Sequence, residues 1–168
     1  MQTDTEELRT AVIKGIRHAR LAFSKHHPGE SLNGFALVTD DGLETLGYFA
    51  NSEEFTAQNG EGNVRFEPVE WLYCEGDSGF AQARSILTSM ARTAGANGVF
   101  AEHVRAAFGV LVDSLIAARA EGLFRQEVFL TVISTDPSDE LVRLENQAVP
   151  QLNSPELVEA WQVARAAG

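Results

Sequence analysis

Two short segments carry apolar side chains at successive positions, and they limit the folds open to this chain. Residues 33–39 and residues 128–133 are both apolar on each face of a predicted strand. Strands of this kind are typical of a sheet that helices cover on both sides. We therefore expect an α/β (α+β) fold in which residues 128–133 form a central strand. The length of 168 residues favours a single globular domain over residues 1–168.

Helical periodicity and turn residues predict the order of the elements. Thr3 and Glu6 form a capping box that opens an amphipathic first helix. An Asp-Asp-Gly turn at residues 40–42 joins the strand at 33–39 to a returning strand at 46–49. The other predicted elements are a short helix at 52–58, a strand at 69–74, helices near Phe80 and Phe100, and helices opened by Asp136-Pro137 and Ser154-Pro155. The predicted order is α-ββ-α-β-αα-β-α-α, with a central, mostly antiparallel sheet of about four strands flanked by helices.

The charge of the chain is concentrated in one segment. Between Asp40 and Asp77 lie ten of the 24 acidic residues and a single base, Arg65, so this segment carries net −9 out of −11. An imbalance of this kind repels itself and is not needed for solubility. We therefore expect these carboxylates to form one anionic patch that binds a cationic counterpart.

Composition and charge restrict the partners and the compartment. A hydrophobic fraction of 44% with 22% charged residues is typical of a soluble globular protein. A sequence pI near 4.7 disfavours nucleic acid and anionic membrane surfaces as partners. The acidic N-terminus is unlike a signal peptide, and no apolar run is long enough for a membrane span. The single cysteine, Cys74, suits a reducing compartment, so we expect a cytoplasmic protein.

Motifs that could carry catalysis are better explained as structure. Residues 76–79 (Gly-Asp-Ser-Gly) are similar to the nucleophile segment of trypsin-like proteases, but Phe80 replaces the next glycine of that pattern, and a turn that caps the next helix explains them better. The four histidines lack the spacing of a zinc site, and we expect His103 to be solvated or to cap a helix. Residues 40–44 lack the ligand pattern of a calcium loop, and no glycine-rich phosphate loop is present. We therefore expect no catalytic residue, no metal and no cofactor.

Five segments, taken in order, resemble a known family. They are FALVTDD at 35–41, ANSEE at 50–54, EPVEWLY at 67–73, GLF at 122–124 and TVISTD at 131–136. Together they resemble the bacterial family of uncharacterised proteins called domain of unknown function (DUF) 4303, from the first helix to about Asn146. The resemblance implies a shared α/β fold and assigns no catalytic residue. Small families of this kind are often found beside secreted toxins as immunity proteins, which implies a protein partner.

These observations predict a non-catalytic binding protein, an immunity protein that neutralises a cognate basic bacterial toxin through an acidic face. Steering by charge would be followed by burial of aromatic anchors. The expected partner-binding residues are Asp40, Asp41, Glu44, Glu53, Glu54, Glu61, Glu67, Glu70, Glu75 and Asp77, with Tyr48 and Tyr73 as anchors.

Two alternatives stay open. The first is a carboxylate-based enzyme or small-molecule sensor, in which some of the acids would converge on a pocket. The second is a structural or assembly subunit, in which the last helix, with Trp161 and Val163, docks against a copy of itself to form a homo-oligomer.

Overall fold

A computed structural model describes residues 2–59, 64–71, 73 and 77–167, and it has the α+β class expected from the sequence. Within these residues, the helices are α1 (Gln2–His26), α2 (Glu53–Asn59), α3 (Ala81–Asn97), α4 (Phe100–Ala120), α5 (Asp139–Leu152) and α6 (Pro155–Ala167). The strands are β1 (Leu32–Thr39), β2 (Gly47–Ser52) and β3 (Phe129–Ser134). Short 3₁₀ turns lie at Val64–Phe66, Pro68–Glu70 and Asp77–Phe80.

The sheet is mixed, and β1 is its central strand. β2 pairs with β1 in the antiparallel sense, and β3 pairs with β1 in the parallel sense on the other side. The prediction of about four strands, mostly antiparallel, was therefore wrong in strand number and pairing for the described residues. The prediction that residues 128–133 form the central strand was wrong too, because β3 lies at an edge.

Side chains, rather than another strand, cover the free edge of β3. The Asn153 amide accepts a hydrogen bond from the Leu130 N–H at 2.8 Å and donates one to the Leu130 carbonyl at 2.7 Å. Farther along, Glu145 Oε1 accepts from the Ser134 N–H at 2.6 Å. Such partners satisfy backbone groups that an unpaired edge would otherwise leave open. An edge strand can therefore carry the apolar pattern that is typical of a central strand.

Among the described residues of the predicted strand at 69–74, a 3₁₀ turn and a single bridge take the place of the strand; Leu72 and Cys74 lie outside the described residues. The turn Pro68–Glu70 begins at a proline, which has no N–H to donate to a strand partner. Trp71 then packs on β1 at Gly34, where an added Cβ would lie 2.7 Å from the indole. Tyr73 forms an isolated antiparallel bridge to β2. Packing of Trp71 against the sheet therefore prevails over the local strand pattern.

Several turns and helix starts differ from the prediction by a few residues. In the β1–β2 connection, Leu43 rather than Gly42 takes a positive φ, 51°, and its side chain is fully buried. α2 begins after Ser52, whose Oγ accepts from the Phe55 N–H at 3.0 Å. α5 begins after the N-cap residue Ser138. Capping hydroxyls therefore set both helix starts, as N-cap chemistry requires.

The two faces of the sheet are covered to different extents. α1, α3 and α4 pack on one face and form most of the larger core, to which α5 also contributes. The other face is covered by the first two 3₁₀ turns and by side chains of α5 and α6, which form a smaller cluster. On that second face Val38, Phe49 and Ile133 stay partly exposed. The incomplete cover leaves a cleft over the sheet.

α1 approaches the third 3₁₀ turn closely at Gly15. A Cβ added there would lie 2.4 Å from Cδ1 of Phe80, whose ring is 1% exposed. Non-bonded carbon atoms in proteins normally stay about 3.5–4.0 Å apart. α1 can therefore pack against the Phe80 ring only because residue 15 has no side chain.

Candidate binding site

The acidic residues of segment 40–77 do not form one patch. In the β1–β2 hairpin Leu32 lies beside Ser52, so the hairpin has its turn at one end and the start of α2 at the other. Asp40 follows the first end and Glu53 follows the second. At about 3.3 Å per residue, roughly 25 Å of strand separates them. The expectation of a single patch was therefore wrong, because antiparallel pairing sends the two halves of the segment to opposite ends of the sheet.

The first half forms the turn group, Asp40, Asp41 and Glu44. Asp40 has a structural role, because its Oδ1 accepts hydrogen bonds from the N–H groups of Glu44 at 2.8 Å and Thr45 at 3.5 Å. Asp41 and Glu44 are exposed, and neither has an ion pair with Lys or Arg within the described residues. Both carboxylates therefore lack a Lys or Arg partner within the described residues, although the charge of Glu44 acts on His103.

The second half forms the α2-end group, Glu53, Glu54, Glu67 and Glu70. Glu53 and Glu54 begin α2, Glu70 ends the second 3₁₀ turn, and Glu67 directly precedes that turn. The first 3₁₀ turn contacts both of these elements. Glu54 accepts from the Ser31 N–H at 2.8 Å, and Glu53 lies 3.9 Å from Arg65. Glu67 and Glu70 are exposed and have no ion pair in the described part of the chain. Within residues 53–70, the four described carboxylates therefore outnumber the one arginine.

Three of the expected site residues cannot be placed in either group. Glu61 and Glu75 lie outside the described residues. Asp77 begins the third 3₁₀ turn, but its side chain lies outside the described part of the structure. The same holds for the side chain of Ser78 in the Gly-Asp-Ser-Gly segment and for Cys74.

Neither expected tyrosine anchor is exposed. Tyr48 is 6% exposed, and its ring stacks on Phe35 at 5.5 Å. Tyr73 is 8% exposed and donates its hydroxyl hydrogen bond to Glu30. Burial raises the pKa of Tyr73, and the hydrogen bond to Glu30 raises it further. Both rings therefore pack in the core, because residue alternation along β2 and the bridge to Tyr73 turn them inward.

The concave site that adjoins the α2-end group is the cleft over the sheet, with a volume of about 170 Å³. A larger cavity of about 500 Å³ lies between α1, α3 and α4, and none of the expected site residues lines it. The sheet side of the cleft is formed by β3, with Phe129, Thr131 and Ile133. Glu67, just before the second 3₁₀ turn, lines one side of the cleft. Glu145 of α5 and Trp161 and Arg165 of α6 also line it. Of the expected site residues that the structure describes, Glu67 alone lines this cleft. The cleft thus combines aromatic rings with two carboxylates and a guanidinium.

Glu145 is the ionisable side chain that α5 contributes to the cleft. Its Oε1 is fixed by the N–H of Ser134 at the end of β3. Burial raises the pKa of Glu145, while the bond from Ser134 and the charge of Arg165 act in the opposite direction. A carboxylate with a shifted pKa in a concave site is a candidate for binding or chemistry.

Arg165 lies at the rim of the cleft. Its guanidinium carbon is 5.3 Å from the centre of the Trp161 ring, which is the distance range of a cation–π contact. It also donates a hydrogen bond to the side-chain oxygen of Asn146 on α5. The guanidinium of Arg165 therefore already occupies the face of Trp161 at this rim.

Sequence reasoning missed most of the cleft. Glu145, Asn146 and Arg165 were not expected to be functional, and Trp161 was considered only as a contact between copies of the chain. The i, i+4 spacing of Trp161 and Arg165 on a predicted helix was the one available signal, because side chains at this spacing meet. Nothing local to Glu145 indicates that it reaches the edge of β3.

Of the remaining candidate residues, His103 lines the larger cavity between α1, α3 and α4. His103 is 6% exposed, so the expectation that it is solvated or caps a helix was wrong; it packs beside Phe100 on α4. Among the described residues, no group of three or more His, Cys, Asp or Glu side chains is arranged to hold a metal ion. None of the helices in the described ranges is both long enough and apolar enough to cross a membrane.

The fold and the site define a class: an α+β domain with an acid-rich sheet end and a small open cleft. A family model described as domain of unknown function (DUF4303) matches residues 13–154, and the chain belongs to this family. The match extends past residue 146, where the resemblance was expected to end, and stops just before α6. No curated protein and no solved structure matched the chain.

Proposed function

We propose that this chain is a non-catalytic binding protein whose α2-end group docks against a basic protein. An immunity protein that neutralises a basic toxin is the form of this function that the charge favours. The observation that carries the proposal is the excess of acidic over basic residues within residues 53–70. Four carboxylates lie on adjoining elements, and Arg65 is the single Lys or Arg between Asp40 and Asp77. Glu67 and Glu70, exposed and without ion pairs in the described residues, are the side chains best able to pair with a cation.

The physical role of this surface is to attract and orient a cationic partner. Complementary charge raises association rates and rejects partners of the wrong sign. A specific interface needs roughly 800 Å² on each side, which is more than four side chains supply. The docking surface therefore has to extend from the α2-end group onto neighbouring elements, and the cleft adjoins it through Glu67.

The test compares charge reversal at the two ends of the sheet. The partner to try first is the protein encoded beside this one in the native host, with association rates measured by surface plasmon resonance. Glu67→Lys/Glu70→Lys should slow association, because it reverses two exposed carboxylates at the proposed dock. Asp41→Lys/Glu44→Lys makes the same change in net charge at the other end and should have a much smaller effect. Glu54 is avoided because it holds the Ser31 N–H.

Salt dependence provides a second readout of the same proposal. Raising the salt from about 50 to about 500 mM should slow association of the parent chain and should matter less for the Glu67→Lys/Glu70→Lys variant. Equal slowing by the two charge reversals would show that net charge, not this surface, controls the encounter. Association that neither variant changes would refute the proposal.

A second candidate function is a small-molecule sensor or a carboxylate-based enzyme centred on the cleft. One observation favours it: Glu67 and Glu145 both line the cleft, and burial raises the pKa of Glu145. In that case a small metabolite should raise the melting temperature of the parent chain by an amount that Glu145→Gln abolishes and Glu70→Lys does not. The same metabolite shift in both variants would exclude it.

A further inference from the structure

The cleft carries a net negative charge against an aromatic background. Two carboxylates, Glu67 and Glu145, oppose the single guanidinium of Arg165. Phe66, Phe129 and Trp161 also line it. Carboxylates and the faces of aromatic rings both attract cations. The chemistry of the site therefore favours a cationic group.

The contacts of Arg165 indicate that the cationic group favoured by the cleft is a guanidinium. Its guanidinium lies over the Trp161 ring and donates to Asn146, and its charge lowers the pKa of Glu145. A planar guanidinium can stack on a ring and donate hydrogen bonds in its plane at the same time, which a lysine ammonium cannot do. Arg165 itself is exposed on the last helix, so it occupies the rim without being locked into the core.

The volume of the cleft and its position beside the α2-end group favour a partner's side chain, rather than a free small molecule, as its ligand. Its volume of about 170 Å³ is below the roughly 300–1,000 Å³ of sites for drug-sized ligands. Glu67 belongs both to the cleft and to the α2-end group, so the cleft is continuous with the proposed docking surface. A group projecting from a docked protein would reach it directly.

We infer that the cleft is the socket for an arginine side chain of the basic partner. The incoming guanidinium displaces Arg165 from Trp161, stacks on that ring and pairs with Glu145. This inference rests on the proposed function, because it takes the arginine from the docked protein. It makes Glu145 and Trp161 the residues that discriminate arginine from lysine, and it makes Arg165 an internal competitor.

The first experiment uses a small probe and needs no identified partner. N-acetyl-arginine amide is titrated into the full chain while the indole N–H signal of Trp161 is followed by NMR, with Trp161→Phe used to assign it. The matched probe is N-acetyl-citrulline amide, which has nearly the same shape and no charge. The arginine probe should shift the Trp161 signal in a saturable way, and the citrulline probe should not.

Variants on both sides of the cleft make the test specific. Glu145→Gln keeps an acceptor for Ser134 but removes the charge, and it should weaken binding of the arginine probe by about tenfold. Glu159→Gln, on the exposed surface of α6, is the control. Arg165→Ala should strengthen binding by about threefold, because it removes the competing guanidinium. Arg143→Ala, an exposed arginine on α5, controls for the change in net charge.

The outcomes separate this inference from the proposed function. Weaker probe binding in Arg165→Ala would overturn the inference, since Arg165 would then be part of the ligand site. No saturable binding of the arginine probe to the parent chain or to Arg165→Ala would overturn it as well. If Glu67→Lys/Glu70→Lys still slows association in that case, the docking surface stands without the socket. Probe binding combined with partner association that Glu145→Gln leaves unchanged would mean that the cleft takes a free small molecule.

Discussion

Replacing Gly15 by alanine is expected to destabilise this chain, although alanine is the better helix former. The new Cβ would lie 2.4 and 2.5 Å from two carbons of the Phe80 ring, so α1 and the ring would have to separate by about 1 Å. Overpacking of this kind costs about 1–3 kcal/mol. The gain in helix propensity, up to about 1 kcal/mol, offsets part of that cost.

Gly109→Ala is the matched control for this prediction. Gly109 lies in the interior of α4, and a Cβ added there meets no atom within 4 Å. The control therefore carries the helix-propensity gain without the clash, and it should stabilise the chain. The difference between the two variants isolates the overpacking cost, about 1–3 kcal/mol. For a chain of this length that is a difference in melting temperature of roughly 2–12 °C.

Urea unfolding followed by far-UV circular dichroism measures both free energies. A double variant, Gly15→Ala/Phe80→Leu, tests whether the clash with the ring causes the destabilisation. Without the ring edge, Gly15→Ala should lower the free energy of unfolding by less. The double variant should therefore be less destabilised than the sum of the two single variants. If Gly15→Ala is as stable as Gly109→Ala, or if the two changes are additive, α1 does not pack on Phe80 as described.

Two further outcomes follow from buried titratable groups. Burial raises the pKa of Glu145, so the Glu145 carboxyl stays protonated to a higher pH in the folded chain than in the unfolded chain. The free energy of unfolding therefore falls as pH rises from the ordinary carboxyl pKa through the folded pKa. Glu145→Gln should therefore raise the melting temperature at about pH 7, and a lower one would contradict this reasoning. Burial lowers the pKa of His103 against opposing effects of Gly42 and Glu44. The stability that its neutral form contributes is therefore fully present above the ordinary histidine pKa of about 6.5, and it is lost as pH falls from there through the lower folded pKa. His103→Gln should flatten the unfolding free energy between about pH 7 and pH 5, and a slope equal to that of the parent chain would refute the role of His103.

The helices could be predicted from the sequence, with their ends correct to within a few residues, because they depend on residues a few positions apart. The stripe of α1 and the Ser154-Pro155 start of α6 follow from periodicity and capping. Gly122, with a φ of 80°, lies just past the end of α4, as a glycine after a helix should. The α+β class and the hairpin of β1 and β2 follow from the same local patterns.

Only the tertiary structure decided which strand is central, where the acids lie and what the cleft contains. β3 carries the pattern of a central strand, but the side chains of Asn153 and Glu145 cover its edge. These side chains lie 23 and 11 positions from their partners in β3, and no local sequence pattern indicates such contacts. Acids close together in the sequence lie at opposite ends of the sheet because antiparallel pairing reverses the chain between them. Local patterns determine which elements form, whereas the packing of distant segments determines which side chains meet.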